Sequence, residues 1–306
     1  MLRRPTHVLF LVSAAVFWGL GTVLTKYALT GFSSVTLLPI QLLSSAVFLA
    51  VVLAIRAERP RFTRENHRAA LLGILNPGIA YALGLLGLSR IDASISVVLW
   101  ATEPALIVLM AVIFLREKVT IGSVVVLIFA MLGVLFIVGK PSGAASSIGV
   151  LLTLAAVAAC ALYSILLRRM HLIDGTLTIV FLQQVTALSF AIVVFTITLA
   201  VQGLERPSPT SLELSAALAG GILYYGAAFW FYVSGLRETT AARAGIYLTL
   251  IPVFGLFFSW ALLGEQLDMQ QLWGAGLVIA SMVAISTPEL LRSRRLSLTV
   301  RDGTHQ

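Results

Sequence analysis

Ten stretches of roughly 20 mostly apolar residues follow one another along this chain, at 7–27, 33–55, 67–88, 91–115, 121–138, 147–170, 175–201, 213–236, 239–263 and 269–287. An α-helix rises 1.5 Å per residue, so about 20 residues cross the ~30 Å hydrocarbon core of a bilayer. A segment in lipid must satisfy its own backbone, which leaves helices or closed barrels. Barrel strands read as short alternating segments, and these runs are continuous. Turn residues separate them: Thr30-Gly31-Phe32-Ser33, Arg56 to Pro60, Lys140 to Gly143, and Arg206 to Pro209. The expectation is an all-α integral membrane protein of ten transmembrane helices.

Composition agrees. Of the 306 residues 59% are hydrophobic and 11% charged, against about 25% charged in a soluble domain. Single soluble cores stop growing near ~250–300 residues, so lipid is the natural solvent for the excess. The net charge of +8 does not point to nucleic acid, because the basic residues sit between apolar runs and form no stripe with exposed aromatics. The single cysteine, Cys160, excludes an internal disulfide framework and a Cys-rich metal site. It reads as a small buried hydrophobe. Met1-Leu2-Arg3-Arg4 before an apolar stretch could open a signal peptide. The chain that follows is equally apolar, so the first run is read as a membrane helix.

Basic residues set the orientation. With a cytoplasmic N-terminus, the inner loops and ends hold sixteen Lys and Arg, among them Arg56, Arg59, Arg61, Arg64 and Arg68. The outer loops hold four: Lys26, Arg90, Lys140 and Arg206. Both termini are therefore expected in the cytoplasm, with the protein multi-pass in the plasma (cell inner) membrane.

The chain repeats itself. At a shift of 148, Gly87, Leu88, Ala93, Pro104, Leu115 and Glu117 meet Gly235, Leu236, Ala241, Pro252, Leu263 and Glu265. Each copy holds five runs, and an odd number turns the second copy over relative to the first. The expected domains are a first five-helix repeat at 1–140, a second at 147–288, and a basic cytoplasmic tail at 289–306. Inverted repeats build many secondary transporters, with the substrate site near the midplane between them.

At these residues the chain resembles the EamA-type branch of the drug/metabolite transporter superfamily. One signature is Phe17-Trp18-Gly19 with Lys26 in the first run, answered by Cys160-Ala161, Tyr163 and Arg168-Arg169 in the sixth. The other is Ala101-Thr102-Glu103-Pro104 to Leu115-Arg116-Glu117 in the fourth run, answered by Leu250-Ile251-Pro252 to Leu263-Gly264-Glu265 in the ninth. The likeness covers nearly the whole chain. It implies a cavity lined by runs 1, 3, 4, 6, 8 and 9, and export or exchange of amino acids, related metabolites or drugs. Cys160 stands where a tryptophan is frequent, and Arg116 where a small or apolar residue is usual.

Glu103 is the sharpest candidate, about twelve residues from either end of its run. An acidic residue at that depth costs roughly 2.5–3.5 kcal/mol on insertion scales and faces a cavity or a partner. It either binds a cationic group or a proton, or stays protonated against backbone freed by Pro104. Pro104 and Pro252 are candidate paired helix bends. Tyr81, Trp100, Trp18, Asn76, Tyr163, Tyr224 and Tyr247 are candidate cavity residues, since a pocket for an organic molecule wants apolar walls with a few polar groups. Tyr225 and Trp230 belong to the same tier. Gln183 and Gln184 read as interhelical hydrogen-bond partners. Arg243 reads as snorkelling to the interface. Glu117 and Glu265 read as run-end residues that bond exposed backbone or a basic neighbour.

Other chemistry is missing from the sequence. Gly133 to Lys140 has the wrong glycine spacing for a phosphate loop, and Pro141 stands where Ser or Thr belongs. No cofactor, metal or nucleotide is expected, and no enzyme: His7, His67, His171 and His305 lie at run ends or in the tail, out of reach of intramembrane chemistry. The expected activity is alternating-access transport of a small molecule by a monomer, in the export direction. Proton coupling through Glu103 and facilitated diffusion, as a uniporter or channel, both stay open.

Overall fold

The computed structural model describes residues 6–58, 63–103, 146–168, 175–202, 208–237, 250–270 and 272–281, with isolated positions between 106 and 136, Met170, and residues 283–284. The regular elements among them are all helical. The first two runs are α1, Thr6–Ala28, and α2, Ser34–Ile55. The third is α3, Arg64–Gly73, then a wide π-type segment, Ile74–Ile79, then α4, Ala80–Leu88. The fourth opens with α5, Ala93–Trp100. The sixth and seventh are α6, Ser147–Arg168, and α7, Thr176–Gln202. The eighth is α8, Ser211–Gly220, a second wide segment, Gly221–Ala227, and α9, Ala228–Arg237. The ninth contains α10, Leu250–Phe258, and a wide final turn, Ser259–Leu263. The tenth contains α11, Leu272–Ser281.

Six of these helical stretches are long and apolar enough to cross a membrane: those of runs 1, 2, 3, 6, 7 and 8. The described parts of runs 9 and 10 are shorter apolar helices. Their ends are built locally. The Ser33 and Thr63 hydroxyls accept from the Thr36 and Asn66 N–H groups, which fills donors a helix start leaves open. Thr210 and Glu213 form a reciprocal capping box on α8. Gly264, at φ 68°, ends run 9 in the left-handed conformation that glycine adopts without strain. One face of α2 carries exposed Leu43, Val47, Val51 and Ile55, four residues apart. That stripe suits lipid.

The core lies where runs of both halves meet. One cluster joins Leu37, Leu42, Tyr81, Leu85, Cys160, Ala187 and Tyr225. Another joins Ile91, Ile95, Leu99, Val150 and Val278. Helix α1 packs against α5, α8, α9 and α10, which joins the first run to the fourth, eighth and ninth. Small residues permit this. A Cβ at Gly19 would lie 2.7 Å from the Gly255 backbone nitrogen, and one at Gly255 would lie 2.6 Å from Val97 Cγ1. Close backbone approach at small residues is the usual packing device in lipid, where apolar side chains gain nothing by leaving the solvent.

Two breaks differ from the sequence reading. Residues 67–88 read as one helix, yet Asn76 is extended at φ −143°, ψ 118°. The cause is Pro77, which disfavours the helical region for the residue before it and offers no N–H. In run 4, read as one helix over 91–115, α5 gives way to a turn at Ala101–Thr102, before the Pro104 expected as a bend. Pro104 lies outside the described residues, but it has no N–H for the Trp100 carbonyl. The Thr102 hydroxyl turns back to the Leu99 carbonyl at 2.6 Å.

The shift of 148 carries Ile74–Ile79 onto Ile222–Ala227, inside the second wide segment. The flanking glycines behave alike. A Cβ at Gly73 would lie 2.8 Å from Gln183 Cα, and a Cβ at Gly221 would lie 2.8 Å from Gln41 Cα. Run 3 thus rests on run 7, and run 8 on run 2, each through a glycine against a glutamine backbone.

Candidate functional site

Tyr81 is the hub of the centre. Its ring is 5% exposed and meets four others: Trp100 at 5.9 Å, Tyr224 at 5.5 Å, Tyr225 at 4.7 Å and Phe229 at 6.4 Å between centroids. The first three are edge-on, the arrangement the ring quadrupoles favour. Tyr81 follows the first wide segment by two residues, and Tyr224 and Tyr225 lie inside the second. The two irregular segments therefore bring their aromatic residues together.

Beside this cluster is a cavity of about 30 Å³, lined by Thr22, Thr25, Tyr81, Ser96, Trp100 and Tyr224 among others. That is room for about two water molecules, far below the ~300–1,000 Å³ of a pocket for an organic ligand. Its polar groups are short side chains. Thr22 turns back to the Trp18 carbonyl at 3.0 Å, and Gln41 donates to Thr25 at 2.9 Å. A groove of about 420 Å³ lies elsewhere, on the flank between α3 and α7, lined by Thr63, Arg64, His67, Leu182 and Val185.

Glu103 stands first after the turn at 101–102 and is half-buried. Tyr81, Cys160, Tyr163 and Tyr224 are close enough to feel its charge. It is not in the wall of the small cavity. It lies three residues beyond Trp100, and Tyr81 and Tyr224 border both places. No hydrogen bond or ion pair holds its carboxyl among the described residues.

The other candidates divide. Tyr81, Trp100 and Tyr224 line the cavity. Trp18 packs outside it, edge-on to Phe229 at 5.2 Å and near Tyr232 at 5.6 Å. Asn76 is buried at the break in run 3, with its side-chain carbonyl unpartnered. The Tyr163 hydroxyl donates to Gln183 at 2.8 Å. Gln183 in turn donates to the Ala69 carbonyl at 3.0 Å and Gln184 to the Tyr225 carbonyl at 3.1 Å. Both glutamines thus join helices as their composition suggested. Trp230 lies under the Arg56 guanidinium at 5.3 Å, away from the cluster. Pro252 is buried in the first turn of α10. Tyr247, Arg243 and Glu117 lie outside the described residues. Replacing Tyr163 with Phe removes one interhelical bond and leaves the Gln183 carbonyl oxygen open. Thermal unfolding in detergent should register a loss of about 1 kcal/mol, in the range of measured interhelical hydrogen bonds.

Sequence reasoning passed over Thr22, Thr25 and Ser96. Their signal is present, since hydroxyl residues at the inner face of apolar runs are interhelical contacts in lipid. It also missed how charge is arranged where α4 ends and α5 begins. There the Lys26 ammonium donates to the Leu88 carbonyl at 2.8 Å and the Ile91 carbonyl at 2.7 Å. The Glu265 carboxylate accepts from the Ala93 N–H at 2.9 Å and the Ser94 N–H at 2.8 Å. Glu265 does bond exposed backbone, as expected of it. Asp92, the residue before α5, lies within electrostatic reach of both.

This fold and sequence have relatives. A solved crystal structure superposes with a TM-score of 0.64, covering 96% of this chain and 99% of its own, at 15% identity. An uncharacterized transporter of Archaeoglobus fulgidus is 26% identical over 282 residues, which is 90% of this chain and 96% of that protein. The uncharacterized transporter YoaV of Bacillus subtilis is 24% identical over 280 residues, 89% of this chain and 93% of that protein. The sequence pattern of the EamA-like transporter family matches residues 6–139 and 147–287. With nearly the whole length matched and a multi-pass helical fold beneath it, the chain belongs to the EamA-like transporter family.

Proposed function

We propose that the protein is a secondary carrier that exports small organic solutes by alternating access, with Glu103 as the group that binds a basic substrate group or a proton. The observation that carries this reading is the Glu103 carboxyl, without a hydrogen bond or ion pair among the described residues and within electrostatic reach of Tyr81, Tyr163 and Tyr224. A charged group in a membrane core is costly unless a partner or a function retains it. Aromatic faces beside a carboxylate suit an amine on an apolar body, through ring attraction and charge together. Amino acids, related metabolites and amine drugs all have that form.

The frame is ten helices in two inverted five-helix repeats, 1–140 and 147–288, with both termini and the basic tail in the cytoplasm. The matching wide segments, the paired glycine–glutamine contacts and the two stretches of family similarity support the duplication. The excess of Lys and Arg on one side supports the orientation.

The test is comparative efflux. Cells expressing the chain and cells with an empty vector are loaded with a panel of amino acids and organic amines, and medium and cytosol are profiled with and without a proton uncoupler. Faster loss of a solute from expressing cells supports the carrier. Abolition by the uncoupler assigns the coupling to protons, and indifference assigns facilitated diffusion. Identical profiles for the two cell types across the panel would reject export.

A further inference from the structure

The bonds around residues 88–94 join three parts of the chain that are distant in sequence. Lys26, from the last turn of α1, occupies the Leu88 carbonyl left open at the end of α4, together with the Ile91 carbonyl three residues on, at the end of the connecting turn. A cation there is favoured by the helix dipole. Glu265, just past the end of run 9, occupies the first two N–H groups of α5, where an anion is favoured. These contacts adjoin the small cavity: Leu88, whose carbonyl takes Lys26, and Thr25, next to Lys26 in α1, are in its wall with Ser96. The neighbouring contacts that hold α5 and α1 to α10 are apolar, such as Val97 on Gly255. Apolar contacts between helices have no hydrophobic drive in lipid, so the charged bonds dominate whether this end stays shut.

Asp92 makes the arrangement unusual. It occupies the N-cap position of α5 with extended dihedrals, φ −67°, ψ 153°, yet its side chain makes no capping bond. Aspartate in that geometry is among the strongest caps. A residue 172 positions away does the work in its place.

We propose that Lys26 and Glu265 form a releasable clasp that shuts this end of the cavity, and that release passes the N-terminus of α5 from Glu265 to Asp92. An N-cap carboxylate accepts from the second or third N–H of its helix, so after the exchange Asp92 bonds Ser94 or Ile95 and only the Ala93 N–H is left to water. Lys26, freed from the carbonyls, has the Asp92 and Glu265 carboxylates within electrostatic reach. With the orientation given above, this is the exit side. The inference rests on the alternating-access reading, but its test needs no substrate.

The reporter is Ser96→Cys in a Cys160→Ala background, labelled by a membrane-impermeant thiosulfonate in right-side-out and inside-out vesicles. Glu265→Ala should raise the labelling rate from the Lys26 side at least tenfold. Lys26→Met should raise it in the same direction. Asp92→Ala should lower it, because the open arrangement loses its cap. General loosening of the fold would raise the rate in all three and from both sides. Glu265→Gln keeps one acceptor in place of two and should show a several-fold rise even if the alanine variant does not assemble. A rate within twofold of the parent for the Glu265 variants, or a rise for Asp92→Ala, overturns the clasp. If labelling responds as described but no solute is exported, the clasp stands and the carrier reading falls. If export depends on Glu103 while labelling ignores Glu265, the clasp alone falls.

Discussion

Replacing Glu103 with Gln is expected to cut efflux about ten- to a hundredfold while leaving the amount of protein in the membrane unchanged. The amide keeps the size and shape of the side chain and removes its charge and its proton-carrying capacity. A hydrogen bond to a charged group contributes about 1.5–3 kcal/mol, and each 1.4 kcal/mol is a factor of ten. The fold should not suffer. No described residue bonds the carboxyl, so none is left unpaired by the change, and thermal stability should be equal to or above that of the parent. Glu103→Asp keeps the charge but withdraws it by one methylene, and should transport at an intermediate rate. Radiolabelled efflux from cells with matched surface expression reads all three. Glu103→Gln transport at the parental rate with the same pH dependence would remove Glu103 from the mechanism.

The second large effect is on assembly. Gly73→Ala places a methyl carbon 2.8 Å from Gln183 Cα and 2.9 Å from its carbonyl carbon. These are backbone atoms, so α3 or α7 must move as a body. Overpacking of this kind costs about 1–3 kcal/mol. Gly221→Ala meets Gln41 Cα at 2.8 Å and its carbonyl oxygen at 2.5 Å and should lose a similar amount. Gly276 is the control, because no described residue lies within 4 Å of a Cβ there. Gly276→Ala should be neutral or gain up to about 1 kcal/mol from helix propensity. Melting temperatures in detergent should separate the first two variants from the third. If all three melt together, the glycine–glutamine contacts do not hold the runs in place.

The runs were legible because lipid imposes a length and a composition on anything that crosses it, and α1, α2, α6 and α7 begin and end within two residues of the sequence reading. The interruptions were less so. Asn76-Pro77 was visible as a polar and a proline residue in run 3, but an apolar count cannot tell a kinked span from a broken one. The aromatic centre was half legible. Tyr81 and Trp100 stood out by depth, and the structure puts both in the cavity wall. Trp18 and Asn76 lay on runs expected to line the cavity, and packing sends them elsewhere. Depth along a run is written in the sequence, whereas the direction of a side chain depends on which neighbour the run meets. Lys26 illustrates the limit most plainly. As a lone charge near a run end it counted toward orientation, and its two carbonyl partners lie more than sixty positions away.

The wide segment at Gly221–Ala227 has a geometric consequence. A π-type turn accommodates one residue more than an α-turn, and each residue of a regular helix advances roughly 100° around the axis. The segment therefore resets the azimuth of everything that follows it in α9. Removing a single residue from it would let the run close into a regular helix and would swing Phe229 by about that angle, off Trp18 and Tyr81 and toward another neighbour. That edge of the aromatic centre is thus addressed by phase: one surplus residue upstream selects which side of the helix looks inward, without any change to the side chains themselves.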